Sequence, residues 1–170
     1  MGMLIPTVIE KKRKGDVAYD IFSRLLEDRI IFIGSKLDVD VANLVVAQLL
    51  YLDKKSQSED IKLYLNCYGG QVVASLSIID TMNHVKSDIS TIAVGVAASA
   101  AAWILACGTK GKRSALPNAE VLLHQPLGGV EGQAKEIEIA AEHILKTRDR
   151  LYGIIAKQTG KSKSRIEKDS

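Results

Sequence analysis

Three times along the middle of this chain, a short run of branched apolar residues stops at a small or polar residue beside a helical stretch. Residues 61–66, 89–96 and 121–124 read as strands, and residues 72–85 and 98–107 as the helices between them. Strands that alternate with helices form a mainly parallel sheet with right-handed crossovers. An earlier unit has the same form. Residues 19–26 carry Tyr19, Phe22, Leu25 and Leu26 at helical spacing, residues 29–34 hold Ile-Ile-Phe-Ile closed by Gly34, and residues 39–52 form a helix apolar on most sides. The expected class is α/β, and 170 residues suffice for one such domain.

Beyond Gly128, Gly129 and Gly132, residues 134–159 make the longest helical stretch, with Ile137, Ala141, Ile144, Leu151 and Ile155 on one stripe. At 1.5 Å per residue it would extend about 39 Å, longer than so small a domain is wide. It is expected to project and bury its stripe on another subunit. A helix packed across the sheet is the alternative.

In parallel sheets, reacting groups collect beyond the carboxyl ends of the strands. Three such ends hold unusual residues: Gly69-Gly70, Ser99 and His124. Ser99 falls in the first turn of the 98–107 helix among Ala97, Ala98, Ala100, Ala101 and Ala102, where unpaired amides favour a developing oxyanion. An ordinary N-cap is the alternative, since Ser is a preferred cap. Residues 95–99 are not the G-x-S-x-G elbow, which argues against an α/β-hydrolase. The glycine pair either directs amides at a carbonyl oxygen or merely makes a tight turn. His124, locked by Gln125-Pro126, is either a general base for a Ser hydroxyl or a core histidine. His84 and His143 read as structural or solvated, and the three histidines are too scattered for a metal site.

Other classes are set aside by composition and spacing. A net charge of +3 is too small to imply nucleic acid or an anionic membrane, and the basic runs at 11–14 and 161–168 read as solvated. Cys67 and Cys107 make neither a disulfide framework nor a ligand pattern, so a reducing compartment is expected, cytoplasmic or organellar. Residues 1–6 are too short for a signal peptide and residues 94–107 for a membrane span, so a soluble protein is expected. Residues 108–113 lack phosphate-loop spacing, because Lys112 is followed by Arg113 where Ser or Thr is required.

Taken in one order, residues 19–26, Gly95-Val96-Ala97-Ala98-Ser99, residues 108–113, Leu116-Pro117-Asn118 and His124-Gln125-Pro126-Leu127-Gly128-Gly129 closely resemble the ClpP family. These are the proteolytic subunits of the ATP-dependent Clp protease, and the likeness runs from Leu4 to the last residue. The resemblance implies an N-terminal axial arm over 1–18, a crotonase-like head of strand–helix units over 19–127, a handle of strand plus long helix over 128–160, and the start of a C-terminal head segment over 161–170. It implies a serine endopeptidase that cuts unfolded polypeptides inside two stacked heptameric rings. A hexameric AAA+ unfoldase of the ClpX, ClpA or ClpC type feeds that chamber and uses the ATP, so no cofactor is expected in this chain. By the same resemblance Ser99 is the nucleophile, His124 the base, and the amides of Gly69 and Ala100 the oxyanion donors. Gly70, Gln71, Gln125, Pro126, Gly128 and Gly129 would lie along the substrate.

The chain departs from the family pattern at Cys67, Tyr68, Gln71, Ala100 and Ala101. The family's catalytic acid would fall beyond Ser170, and Asp169 matches a non-catalytic position. An alternative is a weak or inactive structural subunit of a mixed barrel. A coenzyme A-handling crotonase is a third reading, but no acidic base lies in residues 66–72 or 94–102.

Overall fold

The computed structural model describes residues 4–13 and 15–170. Of the expected arm, residues 1–3 and Lys14 lie outside those described. The elements run β1 (Thr7–Lys12), β2 (Gly15–Asp20), α1 (Ile21–Glu27), β3 (Ile30–Ile33), α2 (Val39–Lys55), β4 (Ile61–Cys67), α3 (Val72–His84), β5 (Ile89–Ala98), α4 (Ala100–Ala106), β6 (Arg113–Ala115), β7 (Glu120–Leu122), α5 (Ala134–Thr159) and α6 (Lys163–Asp169). The fold is α/β, with a parallel sheet in the order β3-β4-β5-β6 and β7 paired to the far end of β5.

Alternation along the strands supplies the core. In β4, Ile61, Leu63, Leu65 and Cys67 are buried while Lys62 and Asn66 are exposed, as period-two geometry requires. On α2, Ala42, Val45, Leu49 and Leu52 fall on one face and are buried. Truncating a fully buried leucine such as Leu49 or Leu63 to Ala would cost about 2–5 kcal/mol. The sequence led us to expect α2 covered on most sides. Its other faces instead leave Leu44 60%, Leu50 47% and Tyr51 50% exposed.

The amino-terminal segment is more regular than its composition suggests. β1 and β2 pair as an antiparallel hairpin from Thr7↔Asp20 to Lys12↔Gly15. Tyr19, expected in a helix, therefore lies in β2. Asp20 ends the strand and caps α1, its carboxylate accepting from the Ser23 amide at 2.9 Å, as short acidic side chains do at helix starts. The segment meets α1 through the Arg24–Glu10 ion pair and through the Ile21 amide, which donates to Pro6 O at 3.1 Å.

The helix expected over 134–159 is α5, with the same bounds. Its buried residues, Leu151, Tyr152 and Ile155, all lie in the last third, while Ile137, Ile139 and Leu145 are exposed. The helix is thus anchored at one end only. There the Arg113 guanidinium donates to Gln158 O at 3.0 Å and Ala106 O at 2.8 Å. Residues 123–133 form no strand within this single chain. No helix among the described residues is long and apolar enough to cross a membrane.

Candidate active site

The carboxyl end of the sheet is shaped by an irregularity between β4 and β5. Leu65 pairs with Ala93, yet Cys67 pairs with Ala97, so β5 spends two more residues than its neighbour over the same stretch. Gly95 takes φ +83° there, and a Cβ on it would sit 2.7 Å from Asn66 Oδ1. That oxygen accepts the Val96 amide at 3.2 Å. Glycine fits because the backbone is left-handed and the amide occupies the side-chain space.

β5 then runs on through Ala98, further than its sequence implies, and α4 starts only at Ala100. Ser99 falls on the corner between them, one step before the helix, with φ 55° and ψ −123°. Such a backbone is strained for a residue with a Cβ, at about 1–3 kcal/mol. The N-cap alternative required the hydroxyl to accept a helix amide, and Ser99 makes no side-chain cap hydrogen bond. Its hydroxyl is left without that structural task. The buried alanines on either side, Ala97, Ala98, Ala100, Ala101 and Ala102, let the chain turn this tightly.

Register brings His124 to the same place. β7 pairs with the last residues of β5, Ala98 opposite Leu122, and the Ser99 amide donates to Leu122 O at 2.8 Å. His124 follows two residues later. It lies past the strand end, not at it as expected, because β7 is only three residues long. Its Nδ1 is 2.6 Å from Gln125 O. A carbonyl can only accept, so Nδ1 carries a proton, and in the neutral ring the lone pair lies on Nε2. Among the described residues no carboxylate hydrogen-bonds to His124.

The glycine pair closes the third side. Gly69 has φ +96°, and a Cβ there would meet Ala98 O at 2.7 Å, Ser99 Cβ at 2.8 Å and Ala100 N at 2.9 Å. No residue with a side chain can stand so close to Ser99. Gly69 O accepts from Leu37 N at 2.9 Å and Leu37 O from Gln71 N at 2.8 Å, which ties this turn to the loop after β3. The Gly69 amide donates to Cys67 Sγ at 3.2 Å, while the thiol donates to Ser35 O at 2.9 Å. Burial pushes the Cys67 thiol above its ordinary pKa, which suits a hydrogen-bonded thiol and not a nucleophilic thiolate. Cys107, also buried, is pushed up to about 12.

These pieces enclose a cavity of about 590 Å³ that Ser99, His124, Gly69, Gly70, Ala100 and Pro126 all line. Ser99 and His124 both line it, with no hydrogen bond between them; in unliganded sites such bonds often form only once substrate is bound. Of the other expected substrate residues, Gln71, Gln125, Gly128 and Gly129 do not line it. Gln71 is the exposed N-cap residue of α3, and Gly128 lies against Ile144 of α5. Sequence reasoning overlooked Gly34, Ser35, Lys36 and Trp103, which do line the cavity. They come from the β3 loop and from α4, and only the order of strands in the sheet signals their presence. A second cavity of about 250 Å³ between α3 and α5 shares Val72, Pro126 and Leu127 with the first.

The arrangement is a hydroxyl on a strained corner, an imidazole with a free nitrogen, and close backbone amides, which together can support acyl transfer. Among the described residues no group of three or more His, Cys, Asp or Glu side chains could hold a metal ion. A family model described as Clp protease matches residues 13–170. The match spans the sheet, the corner at Ser99 and the long helix, so this α/β chain belongs to the Clp protease family.

Proposed function

We propose that the chain is a serine endopeptidase subunit of the Clp type. Ser99 Oγ attacks a peptide carbonyl while His124 Nε2 takes its proton and then passes it to the leaving amine. Hydrolysis of the acyl-enzyme by water, with the same histidine as base, completes the cycle. The Ala100 amide, and the Gly69 amide once it turns from Cys67 Sγ, stabilise the tetrahedral oxyanion. Gln125 O does part of the orienting work of a triad's acid by fixing the proton on Nδ1. Being uncharged, it stabilises the imidazolium less than a carboxylate would. The adjoining cavity with Val72, Val73, Leu76 and Ile144 suits an apolar substrate side chain.

The observation that carries this reading is Ser99 itself, a strained residue with no capping role in a cavity shared with His124. Assembly into a chamber of stacked rings, fed by a hexameric AAA+ unfoldase, is supported by the exposed apolar residues of α2 and α5 and by the family. Gly128 to Gln133, irregular in the single chain, would gain its strand partners from substrate and the opposite ring.

A fluorophosphonate probe should label the assembled protein at Ser99 and not Ser99→Ala, with peptide mapping as the readout. Absence of labelling would sink the reading. A structural subunit of a mixed barrel is the second reading, favoured by the engaged Gly69 amide. It predicts hydrolysis of short fluorogenic peptides only after an active paralogue is added.

A further inference from the structure

The cavity around Ser99 is almost devoid of charge. Its walls are glycine, alanine, aromatic and apolar side chains, with Ser35, Asn66 and Cys67. One lining residue carries a formal charge, Lys36, in the loop between β3 and α2. Lys36 is exposed and forms no ion pair among the described residues. The nearest acid in sequence, Asp38, is engaged elsewhere, its carboxylate accepting the Val41 amide at 2.9 Å as the cap of α2. Tyr68, 81% exposed, stands on the same rim.

The position of Lys36 is fixed by backbone. Leu37, the next residue, is bridged to the Gly69–Gln71 turn in both directions, and Gly69 touches Ser99. In the sheet order, β3 is separated from β5 by β4 alone, whereas His124 follows β7 on the opposite side of β5. Two strand spacings amount to about 10 Å, which an extended peptide crosses in about three residues. A substrate lying across the strand ends with its scissile bond at Ser99 therefore brings a side chain on one flank within reach of the Lys36 ammonium.

We infer that Lys36 is a specificity-determining residue that favours substrates with an Asp or Glu within about three residues of the scissile bond, on the flank away from His124. The inference rests on the peptidase reading and extends it to a substrate class. The ammonium is a point charge on a flexible stem in a partly open cavity, so its preference is modest and sensitive to salt. About a two- to fivefold advantage in kcat/KM is expected for acid over neutral at that position, from the usual strength of exposed ion pairs.

The test uses the assembled protein and internally quenched peptides that carry Glu, Gln or Lys at each of three positions on either side of one cleavage site. Wild type should cut the Glu peptide fastest and the Lys peptide slowest at one position of one flank. Lys36→Gln should level that series, Lys36→Glu should invert it, and 0.5 M salt should compress it. Ratios within one preparation are independent of how much of each variant folds. Cleavage with an acid-to-base ratio unchanged in Lys36→Glu overturns the inference and leaves the peptidase reading intact. Failure of wild type to cut or be labelled overturns the peptidase reading, and this inference with it.

Discussion

The two edges of the sheet are built on opposite principles. At the amino edge buried and bridging side chains tie the turns together. Buried Arg29, just before β3, donates to Leu52 O, Ser56 O and Glu59 O at 2.9 Å each and to Asp60 O at 3.1 Å, with Ser87 Oγ at 3.3 Å. One guanidinium thereby closes the end of α2 and the turns before β4 and β5. Lys112 spans Asp60 and Asp88 at 2.7 and 2.8 Å. At the carboxyl edge the Ser99 hydroxyl caps no helix amide, His124 Nε2 has no partner among the described residues, and the glycines leave a cavity of about 590 Å³. The same strands are stitched shut at one edge and held open at the other. Stability and reactivity can thus be altered separately, as strain and unpaired groups at a site must be supported elsewhere.

The sharpest way to break this contrast is at Ser99. Ser99→Ala should lower peptide hydrolysis by about 10³-fold or more and leave the thermal midpoint within a few degrees of wild type. A large fall in midpoint would mean that Ser99 is structural after all. Next comes Arg29→Ala, which strands several carbonyls in a buried setting and should cost about 3–5 kcal/mol in denaturant unfolding. Labelling of Ser99 per folded molecule should persist. Because Arg29 has φ 61°, Arg29→Gly separates backbone strain from the lost guanidinium. At equal φ the loss in Arg29→Ala measures the hydrogen bonds, and any stability recovered in Arg29→Gly measures the strain.

Asp53 offers a smaller test with a pH signature. Its carboxylate accepts from the amides of Lys86 and Ser87 at 2.9 and 2.8 Å and from Ser87 Oγ at 3.0 Å. Desolvation, the largest single influence, acts to raise its pKa. The hydrogen bonds from Ser87, Lys86 and Gln57 together outweigh it and hold the group below the ordinary carboxylate value. A depressed folded pKa stabilises the fold above the ordinary value near 4 and loses that contribution as pH falls through the depressed one. Asp53→Ala should therefore cost about 1–3 kcal/mol at pH 7, and the gap to wild type should shrink as pH falls below the ordinary carboxylate value. A constant gap would assign the loss to packing. The smallest effect is expected at Lys112, whose pKa is raised chiefly by its hydrogen bonds to Asp60 and Asp88. Lys112→Met should shift the midpoint slightly, and the difference should vanish as pH rises above about 10.4 through the raised value.

Much of this organisation is legible in the sequence, for reasons that also explain what was not. Apolar periodicity records burial, so the strands ending near Gly69 and Ser99 and the whole of α5 could be read directly. Parallel pairing leaves no such trace. β6 is three residues, Arg113 to Ala115, that become a strand only because Thr91 to Ala93 offers them an edge. The β1–β2 hairpin and α6 were hidden by charged composition. Leu44 and Tyr51 read as core residues because the sequence of α2 does not say which apolar face stays open in the single chain. At the site, the residue types of Ser99 and His124 were informative, but the corner at Ser99 is held against the Gly69 turn and β7, contacts far apart in sequence. The engaged Gly69 amide likewise follows from Cys67, which reads only as a buried strand end.

The mismatch between β4 and β5 has a consequence of parity. Side chains alternate along a strand, so two additional residues leave Ala97 facing the same way as Ala93, and both stay buried. The even insertion acts as a pedestal, lifting the tip of β5 without turning the strand over. One residue more or fewer would expose the alanines and bury their neighbours, and the corner would face the wrong side of the sheet. Length changes in this stretch should be tolerated in pairs before they are tolerated singly.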